Sequence, residues 1–296
     1  MGATVKWKKL AESTRVEAGS AVRLADFAAD ARPRGMDKKD GLKQLEAGKL
    51  ELFDLQDKLY AQGDRSVLIV LQAIDAAGKD GTIKHVMSGI NPEGVDVHSF
   101  KQPSAEEREH GYLWRHQKAV PPLGRIGIFN RSHYENVLVT RVHPELLWPK
   151  TSALPTEGIW KQRYKDINAW EKYLTDNGTV VVKLFLNVSP DEQARRFLAR
   201  IDTETKNWKF SKTDMAERDL WPDYQRAFGD MLSHTSTPHA PWHVIPADHK
   251  WAGHLATFAV LLEAIKRIDP QYPAVSAAER ADLSTYRQRL IAQLSD

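Results

Sequence analysis

An unbroken apolar run that passes straight into a glycine-rich turn constrains this chain more than any other feature. Residues 67–86 read VLIVLQAIDAAGKDGTIKHV. A continuous apolar segment bounded by turn residues is the pattern of a strand buried on both faces, as in a parallel sheet. Helix-forming sequence is expected to follow from Gly81. Strand, glycine-rich turn and helix in that order is the context of a phosphate-binding loop, G-x-x-x-x-G-K-[ST]. Backbone N–H groups approach an anion where side chains are small, the helix start adds a partial positive charge, and a lysine adds a full one. Ala77, Gly78, Lys79, Asp80, Gly81 and Thr82 are therefore the expected phosphate cradle. The loop departs from the standard at Ala73, where the first glycine belongs, and at Asp80, where the hydroxyl belongs. A plain glycine turn capped by Asp80 is the bland alternative, and the buried strand upstream favours the loop.

Asp75 lies inside that loop. A helix cap sits immediately before the first helical residue, but here loop residues and Lys79 intervene. Beside phosphates a bare carboxylate is repelled unless a hard cation lies between them. Asp75 is therefore read as a magnesium-linked residue that also orients the reacting phosphate, with manganese as a substitute ion.

Downstream, strand-like and helix-like stretches alternate. Strands are expected over 94–100, 124–130, 179–188 and 242–247, and helices over 37–62, 104–120, 156–178, 189–201, 249–268 and 276–293. Leu42, Leu45, Leu52, Leu55 and Leu59 form the apolar side of the first helix, and Ser104 with Glu107 resembles a capping box. Alternation of this kind implies right-handed βαβ units and a parallel sheet covered by helices on both faces. Ligands bind such sheets beyond the carboxyl ends of the strands. Asp75, Lys101, Asn130 with Arg131, and the arginines after residue 188 all fall at such ends.

Asn130 and Arg131 follow an apolar strand in the place of a Walker B element, where an acid usually helps hold the metal. Asn130 is neutral and suits orienting a bound water or phosphate; Arg131 offers bidentate phosphate recognition. From Arg195 to Lys212 six cations face two anions. Arg196 and Arg200 share a helical face, and Trp208 and Phe210 lie among the lysines. A solvated surface is the usual fate of such a run; a mobile lid closing arginines over a transferring phosphoryl group is the sharper reading. His234, His239, His243, His249 and His254 lack metal-ligand spacing and are read as ordinary histidines.

Composition sets outer limits. The 296 residues carry a net charge of +3 and a pI near 8.9, which tolerates polyanionic ligands without demanding them. No cysteine is present, so disulfides and thiolate metal sites are excluded. No apolar run approaches a membrane span, the N-terminus lacks a signal-peptide core, and a cytoplasmic protein is expected.

Taken together, AIDAAGKDGTIKHV, FKQPSAEEREHGYLWR, IFNRSHYENVLVTRVHP, EQARRFLARI and WKFSKTD resemble the polyphosphate kinase 2 family, in the family's order over roughly residues 40–270. The resemblance implies a three-layer α/β P-loop kinase fold like that of thymidylate kinases, with a lid at about 200–218. Residues 1–40 would be an N-terminal extension and 41–296 the kinase-like domain. It also implies transfer of phosphoryl groups between inorganic polyphosphate and adenine or guanine nucleotides with magnesium, in a homo-oligomer (dimer or tetramer), without nucleic acid or membrane as partner. By the same likeness Asp75, Lys79, Asn130, Arg131, Glu135 and Arg196 are catalytic, and Arg200 and Lys209 bind phosphate. Phe129-Asn130-Arg131-Ser132-His133-Tyr134-Glu135 looks like the class III subgroup, which phosphorylates both AMP and ADP. The rivals are a nucleotide or nucleoside kinase using ATP as donor, and a non-catalytic binder of polyphosphate or RNA.

Overall fold

The computed structural model describes residues 4–148 and 156–294. Five strands, β1 (Ser66–Gln72), β2 (Val95–Ser99), β3 (Ile126–Asn130), β4 (Thr179–Asn187) and β5 (Trp242–Pro246), form one parallel sheet in the order β2-β3-β1-β4-β5. Every residue of β1 is buried, as its apolar run predicts, and β1 pairs with β3 on one side and β4 on the other. The chain leaves β1 toward β2 and β3, then returns across it to β4. That reversal makes the carboxyl end of β1 a topological switch point, where side chains from neighbouring loops diverge and leave a crevice.

The helices are α1 (Trp7–Glu12), α2 (Lys38–Gln62), α3 (Lys79–Val86), α4 (Ala105–Arg108), α5 (Trp114–Gln117), α6 (Val139–Val142), α7 (Thr156–Asp176), α8 (Pro190–Ile201), α9 (Lys212–Asp219), α10 (Trp221–Thr235), α11 (Lys250–Ile268) and α12 (Ala277–Leu294). Helices α1, α2 and α3 pack on α11, and α6 and α7 pack on α10. Helix α2 approaches α11 closely because its buried stripe includes glycines. A Cβ on Gly41 would lie 2.5 Å from Trp251, and one on Gly48 2.7 Å from Phe258. The stripe is thus Gly41, Leu45, Gly48, Leu52, Gln56 and Leu59, and Leu42 faces solvent rather than the core.

The predicted helix over 104–120 is broken. Its capping box at Ser104 and Glu107 forms, but the chain turns at His110-Gly111 and resumes only as α5. Helix α3 starts at Lys79, two residues before the expected Gly81, because Gly78 takes a left-handed φ of 109° and caps it. Helices α1, α6, α9 and α10 have no counterpart among the predicted elements. Residues 14–16 run along β5, with Val16 N–H donating to Trp242 O and Val244 N–H to Thr14 O, each at 2.8 Å. That contact covers an edge strand that would otherwise present unpaired backbone groups.

A charged network is sealed in the core beside the site. The Lys183 ammonium on β4 donates to Glu171 Oε2 at 2.6 Å, to Thr235 O at 2.6 Å and to Tyr134 Oη at 3.0 Å. Tyr134 Oη donates to Glu171 Oε1 at 2.7 Å, and His133 Nε2 lies 3.1 Å from the same oxygen. Burying such a pair is costly unless each donor and acceptor is matched, and here every Lys183 proton has a partner. The network ties β4 and α7 to residues 133–134, which follow the Asn130-Arg131 corner.

Candidate active site

The loop after β1 answers its two sequence anomalies in different ways. Left-handed backbone occurs at Ala76 (φ 64°) and Gly78 (φ 109°), not at Ala73. The first position therefore needs no glycine, and Ala73 serves by presenting its carbonyl to Lys79 Nζ at 2.9 Å. The ammonium thus rests against its own loop. Burial pushes the Lys79 pKa down, while Asp75, Glu135 and Asp80 push it back up. An anion entering the loop would favour the charged form further.

Asp80, the second anomaly, accepts a hydrogen bond from Asn130 Nδ2 at 2.8 Å. In the usual arrangement the loop supplies a hydroxyl and the neighbouring strand a carboxylate, and together they hold the metal. Here the carboxylate is on the loop and the neutral amide on the strand. The pair still carries one negative charge, so the neutral Asn130 is the complement of the acidic Asp80.

Asp75 is likewise not a bare carboxylate. Arg131 donates to its Oδ1 at 2.9 Å, with both side chains part-exposed. Arg131 itself sits at φ 61°, a left-handed conformation that costs a non-glycine residue about 1 kcal/mol and turns its guanidinium back over the loop. Burial opposes the charge on Arg131, but Glu135 and Asp75 outweigh it and raise its pKa.

Helix α8 grips the loop from the other side. It opens at Ser189, whose hydroxyl accepts from Glu192 N–H, with Pro190 in the first turn. Gln193 Nε2 donates to Asp75 O at 2.9 Å. Arg196 Nη1 donates to Ala76 O at 3.1 Å and Ala77 O at 2.6 Å, and its Nε to Glu192 at 2.9 Å. Its Nη2 donates to Ala247 O and, at 3.3 Å, to Asp248 O. Every N–H of this guanidinium has a protein acceptor, which leaves none for a phosphate. Arg200, one turn on, reaches Lys209 O at 3.3 Å and Asp214 at 3.7 Å.

Two hollows meet at the Asp75–Arg131 pair. The larger, about 850 Å³, holds Ala77, Gly78, Lys79, Asp80, Gly81 and Thr82 along one wall, with Lys101, Asn130, Arg196, Arg200 and Lys209 around it. Thus the predicted cradle, strand-end and lid residues come together, except Glu135. Lys250 and His85 also line it and were not anticipated; Lys206 from the charged run lines it too, as does His254, which was expected to be an ordinary histidine. Lys250 was within reach of the strand-end rule, since it follows β5 just as Asp75 follows β1. The smaller hollow, about 400 Å³, contains Glu135, Asp214, Glu217, His143 and Tyr224 beside Asp75 and Arg131. Leu138, Val139, Leu146 and Phe228 give it an apolar side. One hollow is dominated by cations and the other by carboxylates.

The comparisons with known proteins decide the family. Residues 35–273 match the family model described as Polyphosphate kinase 2. The chain belongs to the polyphosphate kinase 2 family. It is 44% identical over 282 residues to the ADP-polyphosphate phosphotransferase of Rhodopseudomonas palustris, covering 94% of this chain and 97% of that one. It is 43% identical over 241 residues to the AMP/ADP-polyphosphate phosphotransferase of Meiothermus ruber, covering 81% and 87% respectively. The crystal structure of Polyphosphate Kinase 2 from Arthrobacter aurescens TC1 superposes with a TM-score of 0.85 at 40% identity, over 96% of this chain and 99% of that one. As a member of the polyphosphate kinase 2 family the chain is a phosphotransferase with the family's P-loop kinase fold. No helix among the described residues is long and apolar enough to cross a membrane.

Proposed function

We propose that this enzyme transfers the terminal phosphoryl group of inorganic polyphosphate to AMP and to ADP, reversibly, giving ADP and ATP. The observation that carries this reading is the pair of hollows of opposite charge joined at Asp75 and Arg131. The cationic hollow suits a long polyanion. The smaller one, with carboxylates beside an apolar wall, suits a nucleotide whose phosphates arrive with a cation. An oxygen of the acceptor phosphate, already anionic at pH 7, attacks the terminal phosphorus. The bridging P–O bond breaks, and the shortened polyphosphate leaves as an anion. Positioning and charge neutralisation then supply most of the catalysis: Lys79 and Arg131 stabilise charge on the transferred group, while Asp75 orients it.

A kinase of this family calls for a divalent cation, and we assign magnesium, with manganese as a substitute. The residues fit it. Asp75, Asp80 and Glu135 offer hard oxygen donors, and among the described residues no group of three or more acids and histidines forms a closed cage. One or two carboxylates completed by substrate phosphates is how magnesium is usually held. When bound, the ion would neutralise phosphate charge beside Asp75.

The deciding experiment incubates purified protein, magnesium and polyphosphate with AMP, ADP, GMP and GDP in turn and separates the products by chromatography. Products formed with ATP as donor but none with polyphosphate would favour the nucleotide-kinase rival. Glu135 is the residue assigned to the shorter acceptor. It lines the smaller hollow with Arg131, so Glu135→Asn is expected to lose about tenfold or more of AMP phosphorylation while ADP phosphorylation falls less. Equal losses on both acceptors would remove the specificity role.

Residues 204–209 form a 3₁₀ turn and 212–219 a helix, held to α8 through Arg200. We infer that this segment is the lid and that polyphosphate competes for Arg200, Lys206 and Lys209 as it closes. Hydrogen exchange over 203–215 should slow when polyphosphate is added; equal protection with and without ligand would count against a lid. We also infer a homo-oligomer. Helix α12 has no buried residue and exposes Leu283, Tyr286, Leu290 and Leu294. In proteins most helical stability comes from packing an apolar face rather than from propensity. Glu279 and Asp282 lie toward its start and Arg287 and Arg289 toward its end, against a single Arg280 at the acidic end, so an antiparallel second copy offers complementary charge. Light scattering should then give a multimer that Leu290→Glu reduces to monomer; an unchanged mass would reject this contact.

A further inference from the structure

A third hollow, about 400 Å³, lies at the opposite end of the sheet from the phosphate loop. Val180 and Val182 near the start of β4 form its floor with Val260 and Ile268 of α11, and Pro238 and Pro241 close one side. Arg15, Arg65 and Arg267 enter from three separate parts of the chain: the segment bridging to β5, the residue before β1, and the end of α11. Glu263 is the single carboxylate in the lining, so with neutral histidines the hollow carries a net charge of +2, three arginines less one glutamate.

Those charges are left unbalanced. Among the described residues neither Arg65 nor Arg267 has an ion-pair or hydrogen-bond partner for its side chain, and Glu263 forms no ion pair. Arg15 Nε is buried without a hydrogen-bond partner, its nearest carboxylate being Glu17 at 3.9 Å. His239 Nε2, also in the lining, is buried and unpartnered as well. A buried arginine donor left open, as Arg15 Nε is, points to an acceptor that arrives from outside. His243, hydrogen-bonded to Thr14 Oγ1 at 3.0 Å, has its pKa lowered to about 4 by burial and further by Arg15 and Arg267. Burial first, and the two arginines second, keep that ring neutral.

We propose that this hollow binds a small phosphate monoester, with its phosphoryl group among Arg15, Arg65 and Arg267 and its organic part on the apolar floor. A phosphate monoester carries close to two negative charges at pH 7 and several acceptor oxygens, which matches both the charge and the open Arg15 donor. Hollows of this size hold small ligands of mixed polarity. Strand β1 alone spans roughly 20 Å, so a ligand here touches none of the reacting groups. It is a second site, and it stands whether or not the acceptor preference proposed above is right.

The test is isothermal titration of the full chain with AMP and, separately, with glucose 6-phosphate. Wild-type protein is expected to bind a monoester at a site that Arg15→Ala/Arg267→Ala weakens by roughly a hundredfold, two charge-assisted contacts being lost. Glu263→Gln should tighten the same event several-fold, a gain that a misfolded variant cannot imitate. Binding of both compounds makes the site a general phosphoryl site; binding of AMP alone makes it a nucleotide site. Affinities that are the same in wild type and both variants, or no binding by either monoester outside the catalytic cleft, overturn the proposal.

Discussion

Lys79→Ala is expected to lower phosphoryl transfer by roughly a hundredfold or more while leaving the protein folded. The ammonium rests on Ala73 O, at the wall of the larger hollow, and no buried acid depends on it for charge balance. What is lost is a positive charge that acts as negative charge spreads over the transferred group. Asp75→Asn should cost a similar factor by another route. It removes the anion that holds Arg131 over the loop and, on the proposed mechanism, the carboxylate that faces magnesium. Steady-state rates with polyphosphate and ADP, alongside circular dichroism, distinguish a chemical loss from unfolding. Near wild-type turnover in a folded Asp75→Asn protein would end the metal-linked role of that residue.

Arg196→Ala is expected to be the more damaging change to the protein itself. Its guanidinium caps the carbonyls of Ala76, Ala77, Ala247 and Asp248 and joins Glu192. Truncation leaves several buried acceptors without donors, for about 3 kcal/mol of stability. It also frees a loop that holds Ala76 in a left-handed conformation. Turnover should fall at least about tenfold with only a modest change in KM for nucleotide. Arg196→Lys separates two explanations, because it keeps the charge but replaces a planar fork with one compact ammonium. If Arg196 braces the loop, lysine restores little of either melting temperature or rate. Recovery of wild-type turnover by lysine would mean that charge alone matters, and the bracing role would fail.

The order of elements was legible in the chain. The apolar runs of β1, β3, β4 and β5 became largely buried strands while β2 at the sheet edge is part-exposed, and Asp37, Ser104 and Ser189 cap helices as their side chains allow. The failures have local physical causes. Over 104–120 the helical pattern ignored Gly111, and the chain turns there. On α2 the leucine count hid the glycines that set its approach to α11. Helix α10 follows a charged run without a break in the chain, and its signal lies in Tyr224, Ala227, Phe228, Met231 and Leu232, which form a buried face at helical spacing.

By itself, then, the sequence determined the parallel α/β class, the loop after the first strand, and the strand ends at which charged residues collect. Those features depend on hydrophobic period and on glycine and proline, which act over a few residues. Only the tertiary structure decided the partners. Asp80 meets Asn130, Asp75 meets Arg131 and Arg196 meets the loop carbonyls across separations of 50, 56 and about 120 residues. Two anomalies that looked independent along the chain, an acid in the loop and an amide on the strand, prove to be one hydrogen-bonded pair. The sealed Lys183–Glu171 pair and the arginine-lined hollow at the far end of the sheet are products of packing in the same way. Each gathers charges from segments with no local reason to meet, and the low-dielectric interior that makes their pairing matter exists only once the sheet and helices have closed around them.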